Sequence, residues 1–272
     1  MYLFRKICKY ILLLPGIIVF PFISKRQIRI LMYHRVEDDI AKEMAVKKEN
    51  FEWQMNYLKR KGYHVISMDE AYDKLRQGSI GRKDVVIAFD DGYRDFYHNA
   101  FPILQKYGYP CILYLVPGCM GTDCVFWWDR DLGESPLLDW SEIHELLKSG
   151  KVALGSHTLH HKDLDGLGEA ELKQELEMSK SMIEKNTGRE VLHFSYPRGI
   201  YSRDAEECLR SLYRTGVLVW KGKNRVSGDK GLNFYQLKRI PVHNSDGKFL
   251  FAARLKGWLI AEEWLRNMLS MS

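Results

Sequence analysis

Short apolar runs alternate with amphipathic segments along the chain from Ile28 onward. The apolar runs predict strands over residues 28–33, 64–67, 85–89, 111–116, 152–155, 191–196, 217–220 and 237–243. The segments between them carry apolar residues at helical spacing, and several end at a glycine, as at Gly62, Gly78 and Gly108. Strands that alternate with helices predict a parallel sheet, either open or closed.

The turn after the first predicted strand helps to separate these two arrangements. An open doubly wound sheet that binds nucleotides has a glycine-rich turn there, whereas this chain has Tyr33-His34-Arg35-Val36. The pattern of a phosphate-binding P-loop is also missing. We therefore predict an α/β fold with a barrel-like sheet of about seven strands. No low-complexity linker interrupts the pattern, so residues 28–246 are predicted to form one domain.

The positive charge of the chain is concentrated at its amino terminus. The 272 residues carry a net charge of +6, and residues 1–35 contain Lys and Arg but no Asp or Glu. The rest of the chain is close to neutral, which argues against a nucleic-acid-binding face. A hydrophobic content of 46% excludes a disordered chain, a collagen and a multi-span membrane protein.

An apolar stretch, residues 10–23, lies among those basic residues and contains two prolines. It is shorter than the ~20 residues of a spanning helix, which leaves three interpretations: a signal peptide, a short anchor, or an interfacial segment. We predict that residues 1–27 associate with a membrane, and basic residues at both ends favour the cytoplasmic face. Residues 247–272 predict an amphipathic C-terminal helix, packed either on the core or in the interface.

Polar residues that can carry chemistry follow the predicted strands. They are His34, Asp90, Asp91, His157, His161, Arg198 and His243. In (β/α) barrels the catalytic groups lie at this carboxyl face. Asp90-Asp91-Gly92 is by itself also typical of a plain turn. Together, however, Asp91, His157 and His161 form a His-His-Asp set with an open position, as catalytic metal sites have.

Four segments in this order resemble the successive motifs of the polysaccharide deacetylases, the NodB-homology family four of the carbohydrate esterases. They are FDDG (89–92), SHTLHH (156–161), FSYPRG (194–199) and a late strand that ends in His243. The resemblance covers about residues 28–245. It implies a distorted (β/α) barrel, one divalent metal ion, commonly Zn²⁺, and an N-acetylated glycan as substrate.

The resemblance also implies roles for individual residues. The metal ligands would be Asp91, His157 and His161, and Asp90 would be the general base. The backbone N–H of Arg198 would stabilise the oxyanion, and His243 would protonate the leaving amine.

One position departs from the family pattern. The third motif usually begins with an arginine that orients the base, and Ser195 stands there in this chain. Because serine cannot form a charged bidentate clamp, Arg239 on the last strand is our candidate to replace it. Four residues are further candidates for substrate contact, three of them by stacking on a sugar ring: Tyr196, Trp127, Trp128 and His34.

These observations predict a metal-dependent hydrolase that removes N-acetyl or similar N-acyl groups by attack of metal-activated water on the amide carbonyl. The predicted substrate is a bacterial surface polysaccharide or its lipid-linked precursor. One alternative is a non-catalytic carbohydrate-binding relative of the same fold, which only Ser195 supports. The other is a different barrel metallo-amidohydrolase, which would show an early H-x-H pattern that this chain lacks.

Overall fold

The computed structural model describes residues 26–219, 224 and 231–259. Ten strands are defined: β1 (Arg29–Tyr33), β2 (Arg35–Val36), β3 (Ala45–Val46), β4 (His64–Val65), β5 (Asp84–Phe89), β6 (Cys111–Leu115), β7 (Val152–Ser156), β8 (His193–Ser195), β9 (Thr215–Leu218) and β10 (Leu237–Pro241). Eight α-helices accompany them: α1 (Lys48–Arg60), α2 (Met68–Gln77), α3 (Phe101–Tyr107), α4 (Trp140–Lys148), α5 (Glu169–Lys173), α6 (Ser179–Thr187), α7 (Arg203–Leu212) and α8 (Gly247–Lys256).

Seven of the strands close into a parallel ring. The order around it is β1, β10, β9, β8, β7, β6 and β5, and β5 pairs back with β1. This confirms the prediction of a barrel of about seven strands. The short strand β4 pairs only with the first two residues of β5, and β2 and β3 form a separate two-stranded sheet.

Two apolar layers explain why the strand sequences are apolar throughout. Alternate residues, such as Ile30 and Val86, face the barrel interior, while their neighbours, such as Leu31 and Ile87, pack under the helices. Both faces are buried, so a strand such as β5 shows no polar alternation. Helix α2 adds its buried side chains to the interior cluster.

The bounds of several predicted elements differ from the structure, and two of these differences have a local cause. The single helix predicted over residues 169–185 is interrupted by a π-turn at Gln174–Met178, which separates α5 from α6. Such turns insert a residue into the helical hydrogen-bond ladder, which the apolar spacing does not reveal. The strand predicted over residues 64–67 is only the two-residue β4, because Ser67 instead caps α2 by accepting a hydrogen bond from the Glu70 N–H.

The two terminal predictions fall largely beyond the described residues. Of the predicted segment 1–27, residues 1–25 lie outside them, as do residues 260–272 of the predicted C-terminal helix. The part that is described, α8, ends at Lys256 before Gly257, and its Phe251 packs against Trp53 and Tyr57 of α1. Within the described ranges, no helix has the length and apolar character needed to cross a bilayer.

Candidate active site

A cavity of about 690 Å³ opens at the carboxyl ends of the barrel strands. All seven residues predicted to act in catalysis or metal binding line it, namely Asp90, Asp91, His157, His161, Arg198, Arg239 and His243. The parallel strands all deliver their carboxyl ends to this rim, so residues far apart in the chain meet there.

Three donor side chains converge at the centre of this cavity. The Nε2 atoms of His157 and His161 each lie 3.5 Å from Oδ1 of Asp91. All three donor atoms lie within 4.8 Å of one another. Asp91 lies two residues after the end of β5 and His157 directly follows β7, so the barrel register sets their approach.

The backbone that presents these donors is in an unusual conformation. Four non-glycine residues of the described chain have positive φ, and all four belong to this rim: Asp91, Thr158, His161 and Arg198. Residues held in this left-handed region cost ~1–3 kcal/mol each and persist where the surrounding structure holds them. Asp91 and His161 have this conformation where their donor atoms converge with that of His157.

The ring of His157 is held in the orientation that a metal ligand needs. Its Nδ1 donates a hydrogen bond of 2.7 Å to the backbone carbonyl of Ser195, which leaves the lone pair of Nε2 directed at Asp91. His160, the intervening histidine, bonds through Nδ1 to Glu175 at 2.9 Å instead. His160 therefore takes no part in the cluster.

Burial controls the protonation of these donors. It lowers the pKa of His157 to about 4 and, together with the neighbouring charge of His157, that of His161 to about 3. The imidazoles are therefore neutral at pH 7 and offer lone pairs. Burial, followed by the charges of Asp90 and Asp129, raises the pKa of Asp91 well above its usual value.

These residues fit a divalent cation. Asp91 Oδ1 is buried and has no hydrogen-bond partner among the described residues, yet it faces two neutral imidazoles. A buried carboxylate oxygen without a donor is costly unless a cation satisfies it. Two nitrogens and one carboxylate match the donor set of catalytic zinc sites.

Asp90 lies beside the three donors but is bound differently. Its Oδ1 accepts a 2.6 Å hydrogen bond from Nη1 of Arg239, and both side chains are almost fully buried. Burial alone would raise the pKa of Asp90, but the charge of Arg239, followed by His157, outweighs it and lowers the pKa to about 2. Ser195 contributes only a long contact of 3.5 Å to Oδ2. Arg239 thus contacts the carboxylate that the missing motif arginine was expected to orient.

Two further imidazoles stand at the level of Asp90. The register pairs Tyr33 with Phe89, so His34 is level with Asp90, and His243 follows two residues after the pairing of Pro241 with Met32. Arg254 Nη2 lies 3.3 Å from Nδ1 of His243. Since a guanidinium can only donate, that contact assigns the ring proton of neutral His243 to Nε2.

The predicted aromatic contacts are only partly present. Trp127 and Trp128 line the cavity, and Trp127 is 63% exposed at its edge. Tyr196 does not line it, which corrects the prediction that it stacks on a sugar. Its side chain is fully buried and packs edge-on against Phe194 under the helices. Tyr201, five residues later, lines the cavity instead.

Sequence reasoning missed a group of charged and polar residues behind the tryptophans. Arg35, Lys42, Tyr93 and Asp129 all line the cavity. Only Asp129 carried a signal, because it directly follows the tryptophan pair in the chain. Arg35 begins β2, and Lys42 and Tyr93 lie in the segments that follow β2 and β5, so only the fold brings them together.

The fold and this site define a class of barrel protein with a histidine-carboxylate cluster at its rim. A sequence profile of the family described as polysaccharide deacetylase matches residues 77–217, just over half of the chain. The chain belongs to that family, whose members are hydrolases acting on amide bonds, and it is a polysaccharide N-deacetylase by class.

Individual relatives agree with this assignment. The chain is 28% identical to YxkH of Bacillus subtilis over 214 residues, 78% of this chain and 70% of YxkH. It is 26% identical to the poly-beta-1,6-N-acetyl-D-glucosamine N-deacetylase of Staphylococcus aureus over 216 residues, 76% of this chain and 70% of that protein. A solved polysaccharide deacetylase from Bacillus cereus is 27% identical, with a TM-score of 0.71 over 85% of this chain and 69% of that one.

Proposed function

We propose that this protein is a metal-dependent deacetylase that removes N-acetyl, or similar N-acyl, groups from a bacterial surface polysaccharide or its lipid-linked precursor. The observation that carries the proposal is the convergence of Asp91, His157 and His161, with the ionised Asp90 beside them. A divalent ion bound by these ligands supplies a water of lowered pKa and polarises the amide carbonyl. Zn²⁺ is the proposed ion because two imidazoles and a carboxylate suit it.

Asp90 is the proposed general base. Its carboxylate lies 3.9 Å from Nε2 of His157, close to the metal ligands, and its other oxygen is held by Arg239. An ionised carboxylate with one oxygen fixed can take a proton on the other one. Arg239 is the proposed orienting residue in place of the family arginine that Ser195 replaces.

The remaining steps need a donor to the oxyanion and a donor to the leaving amine. The turn Pro197–Gly199 borders the cavity, and we assign the backbone N–H of Arg198 to the oxyanion. His243 is the proposed acid because it lines the cavity. Its imidazolium form would give the Nε2 proton to the leaving amine and return to the neutral ring that the Arg254 contact fits. His34 is level with Asp90 and is assigned to substrate contact. The variants His243→Gln and His34→Gln test this division. Only His243→Gln should remove the decline of the rate at high pH, because it removes the acid.

The cavity supports a glycan as the substrate. Trp127 offers an exposed ring at its edge and Trp128 an inner wall, and aromatic faces are suited to pack against sugar rings. The staphylococcal relative is named for poly-beta-1,6-N-acetyl-D-glucosamine, so this polymer is the first substrate to test. Chitin oligomers, peptidoglycan and lipid-linked N-acetylated sugars complete the panel.

The test of the proposal combines metal analysis with acetate release. Wild-type protein should hold about one divalent ion per chain and release acetate from at least one of these glycans. Asp91→Ala and His157→Ala should lose both properties. His160→Ala is the matched control, because His160 lies in the same loop and binds Glu175. Full metal retention in both ligand variants would contradict the site, and no acetate from any glycan would contradict the activity.

We further propose that residues 1–27 hold the enzyme at a membrane, with the cytoplasmic face favoured. The support is the sequence alone, a basic and apolar segment attached to a near-neutral domain. A variant lacking residues 1–26 should leave the membrane fraction and keep its metal. A truncated protein that still sediments with membranes would contradict this proposal.

A further inference from the structure

A polar cluster lies behind Trp128 and is separate from the metal ligands. We call it the Asp129 cluster, and its members are Arg35, Lys42, Tyr93, Asp129 and Ser135. Asp129 is only 2% exposed, and its carboxylate accepts hydrogen bonds from Tyr93 Oη at 2.7 Å, Ser135 Oγ at 2.9 Å and Lys42 Nζ at 3.0 Å. Arg35 Nη1 lies 3.6 Å away. Arg35 also binds the buried Asp95 through Nε at 2.7 Å, so the two cations are shared among neighbouring carboxylates.

The cluster controls the direction of a hydrogen-bond chain to Trp128. An ionised carboxylate can only accept, so the Tyr93 hydroxyl must donate to Asp129. The Tyr93 oxygen is then available to accept, and Trp128 Nε1 donates to it at 2.9 Å. The indole can only donate. The chain from Trp128 through Tyr93 to Asp129 therefore has a single direction and one arrangement of the indole.

The Trp128 ring in turn packs on a metal ligand. Its centroid lies 4.8 Å from that of His161 in an edge-to-face contact, and Phe126 stacks behind it at 4.7 Å. His157, by contrast, is held by the Ser195 carbonyl. Within the described chain, the polar contacts of the His161 ring are with its own backbone and with Asp91. Its packing against the aromatic rings and His157 therefore has a large part in its orientation.

We propose that Asp129 is a positioning residue that acts through Tyr93 and Trp128 to hold the ring of His161 in its metal-binding orientation. The rings of Phe126 and Trp128 hold the His161 ring in place, as the Ser195 carbonyl holds the His157 ring. Outer partners of metal ligands usually matter by ~10–100-fold in metal affinity. The inference rests on the metal site of the proposed function.

The test is the affinity for Zn²⁺, measured without glycan by competition with a chromophoric chelator. Tyr93→Phe is the central variant, because it keeps the ring that packs under Arg35 and removes only the oxygen that links Asp129 to Trp128. We expect its affinity to fall by ~10-fold or more. Asp129→Asn should also weaken binding. Trp128→Phe removes the N–H, and combining it with Tyr93→Phe should add little, since both break one chain.

The matched control is Asp131→Asn. Asp131 is on the same turn and also binds Lys42, at 2.6 Å, but its side chain is 71% exposed and forms no hydrogen bond with Tyr93 or Trp128. Its Zn²⁺ affinity should stay at the wild-type value. Thermal unfolding of each variant separates misfolding from loss of positioning. A folded Tyr93→Phe protein with wild-type Zn²⁺ affinity overturns the inference, and so does an equal loss in Asp131→Asn.

The outcome is distinguishable from failure of the proposed function. A wild-type protein that binds Zn²⁺ but releases no acetate contradicts the deacetylase proposal alone. Weakened Zn²⁺ binding in Tyr93→Phe still supports the positioning role in that case.

Discussion

Two buried polar clusters lie side by side at the rim of the barrel, and they differ in how completely their hydrogen bonds are formed. Around the three donor residues, buried atoms without a partner among the described residues include Asp91 Oδ1, His34 Nδ1, Thr158 Oγ1 and Arg239 Nε. In the Asp129 cluster, no buried side-chain N or O atom lacks a hydrogen-bond partner among the described residues. The same fold therefore satisfies one cluster internally and leaves the other with atoms that can bind an ion or substrate.

The backbone differs in the same way. At the rim that carries the three donor residues, Asp91, Thr158 and His161 have positive φ angles. In the Asp129 cluster, Tyr93, Asp129 and Ser135 do not. Unpaired polar atoms and backbone strain both cost stability. Their coincidence at the three donor residues indicates a cluster built to bind a ligand, while the Asp129 cluster is built for rigidity. Four predictions sharpen this contrast.

The largest expected effect is on turnover at Asp90. Asp90→Asn keeps the shape of the side chain but removes the base, so the rate of acetate release should fall by ~10²–10⁴-fold. The metal content should stay near wild type, because the proposed ligands are Asp91, His157 and His161. Acetate release and metal analysis on one preparation measure both. Turnover at the wild-type rate would remove Asp90 from the mechanism.

The next effect is on the pH dependence. Arg239 lowers the pKa of Asp90 to about 2 against the effect of burial, so the base stays ionised far below neutral pH. In Arg239→Met the burial remains and the cation is lost, and the pKa of Asp90 must rise. The acid limb of the rate profile should therefore move to higher pH by ~1–3 pH units. Lys238→Met is the neighbouring control, and an unmoved acid limb in Arg239→Met would contradict the role of Arg239.

A smaller effect concerns the stability of the Asp129 cluster. Ser135 donates to Asp129 and accepts from Arg35 Nη1 at 2.9 Å. Ser135→Ala removes both bonds, and the free energy of unfolding should fall by ~1–3 kcal/mol. Urea denaturation of variant and wild type measures the difference. An unchanged midpoint would show that this hydroxyl adds nothing to the cluster.

The smallest expected effect is a gain, not a loss, in the free energy of unfolding. Thr158 has a buried hydroxyl without a partner in the described chain. Thr158→Val keeps the shape and removes that hydroxyl, so the free energy of unfolding should rise by about 1 kcal/mol. The same denaturation experiment, run beside Ser135→Ala, compares a paired hydroxyl with an unpaired one. A loss of stability in Thr158→Val would mean that the hydroxyl is satisfied in solution.

Much of the fold and part of the site followed from the sequence. Runs such as residues 85–89 are apolar because the barrel buries both faces of each strand, and their alternation with helical segments predicted a parallel sheet. The missing glycine-rich turn after residue 33 then favoured the barrel over the open form. The motif residues Asp91, His157 and His161 were recognised because strand ends carry the chemistry of such barrels. The side on which Tyr196 packs was not predictable, because strand ends are uncertain and one residue reverses the direction.

Only the tertiary structure decided which residues contact Asp90 and Asp129. Arg239 and Asp90 are 149 positions apart, and Tyr93 and Asp129 are 36 apart. No local pattern encodes such contacts, because ring closure and the packing of turns determine them. The sequence by itself determined the barrel, the family and the donors, since hydrophobic period and motif spacing are local properties. Long-range packing decides that Arg239 contacts Asp90 and that Tyr93 and Asp129 support Trp128.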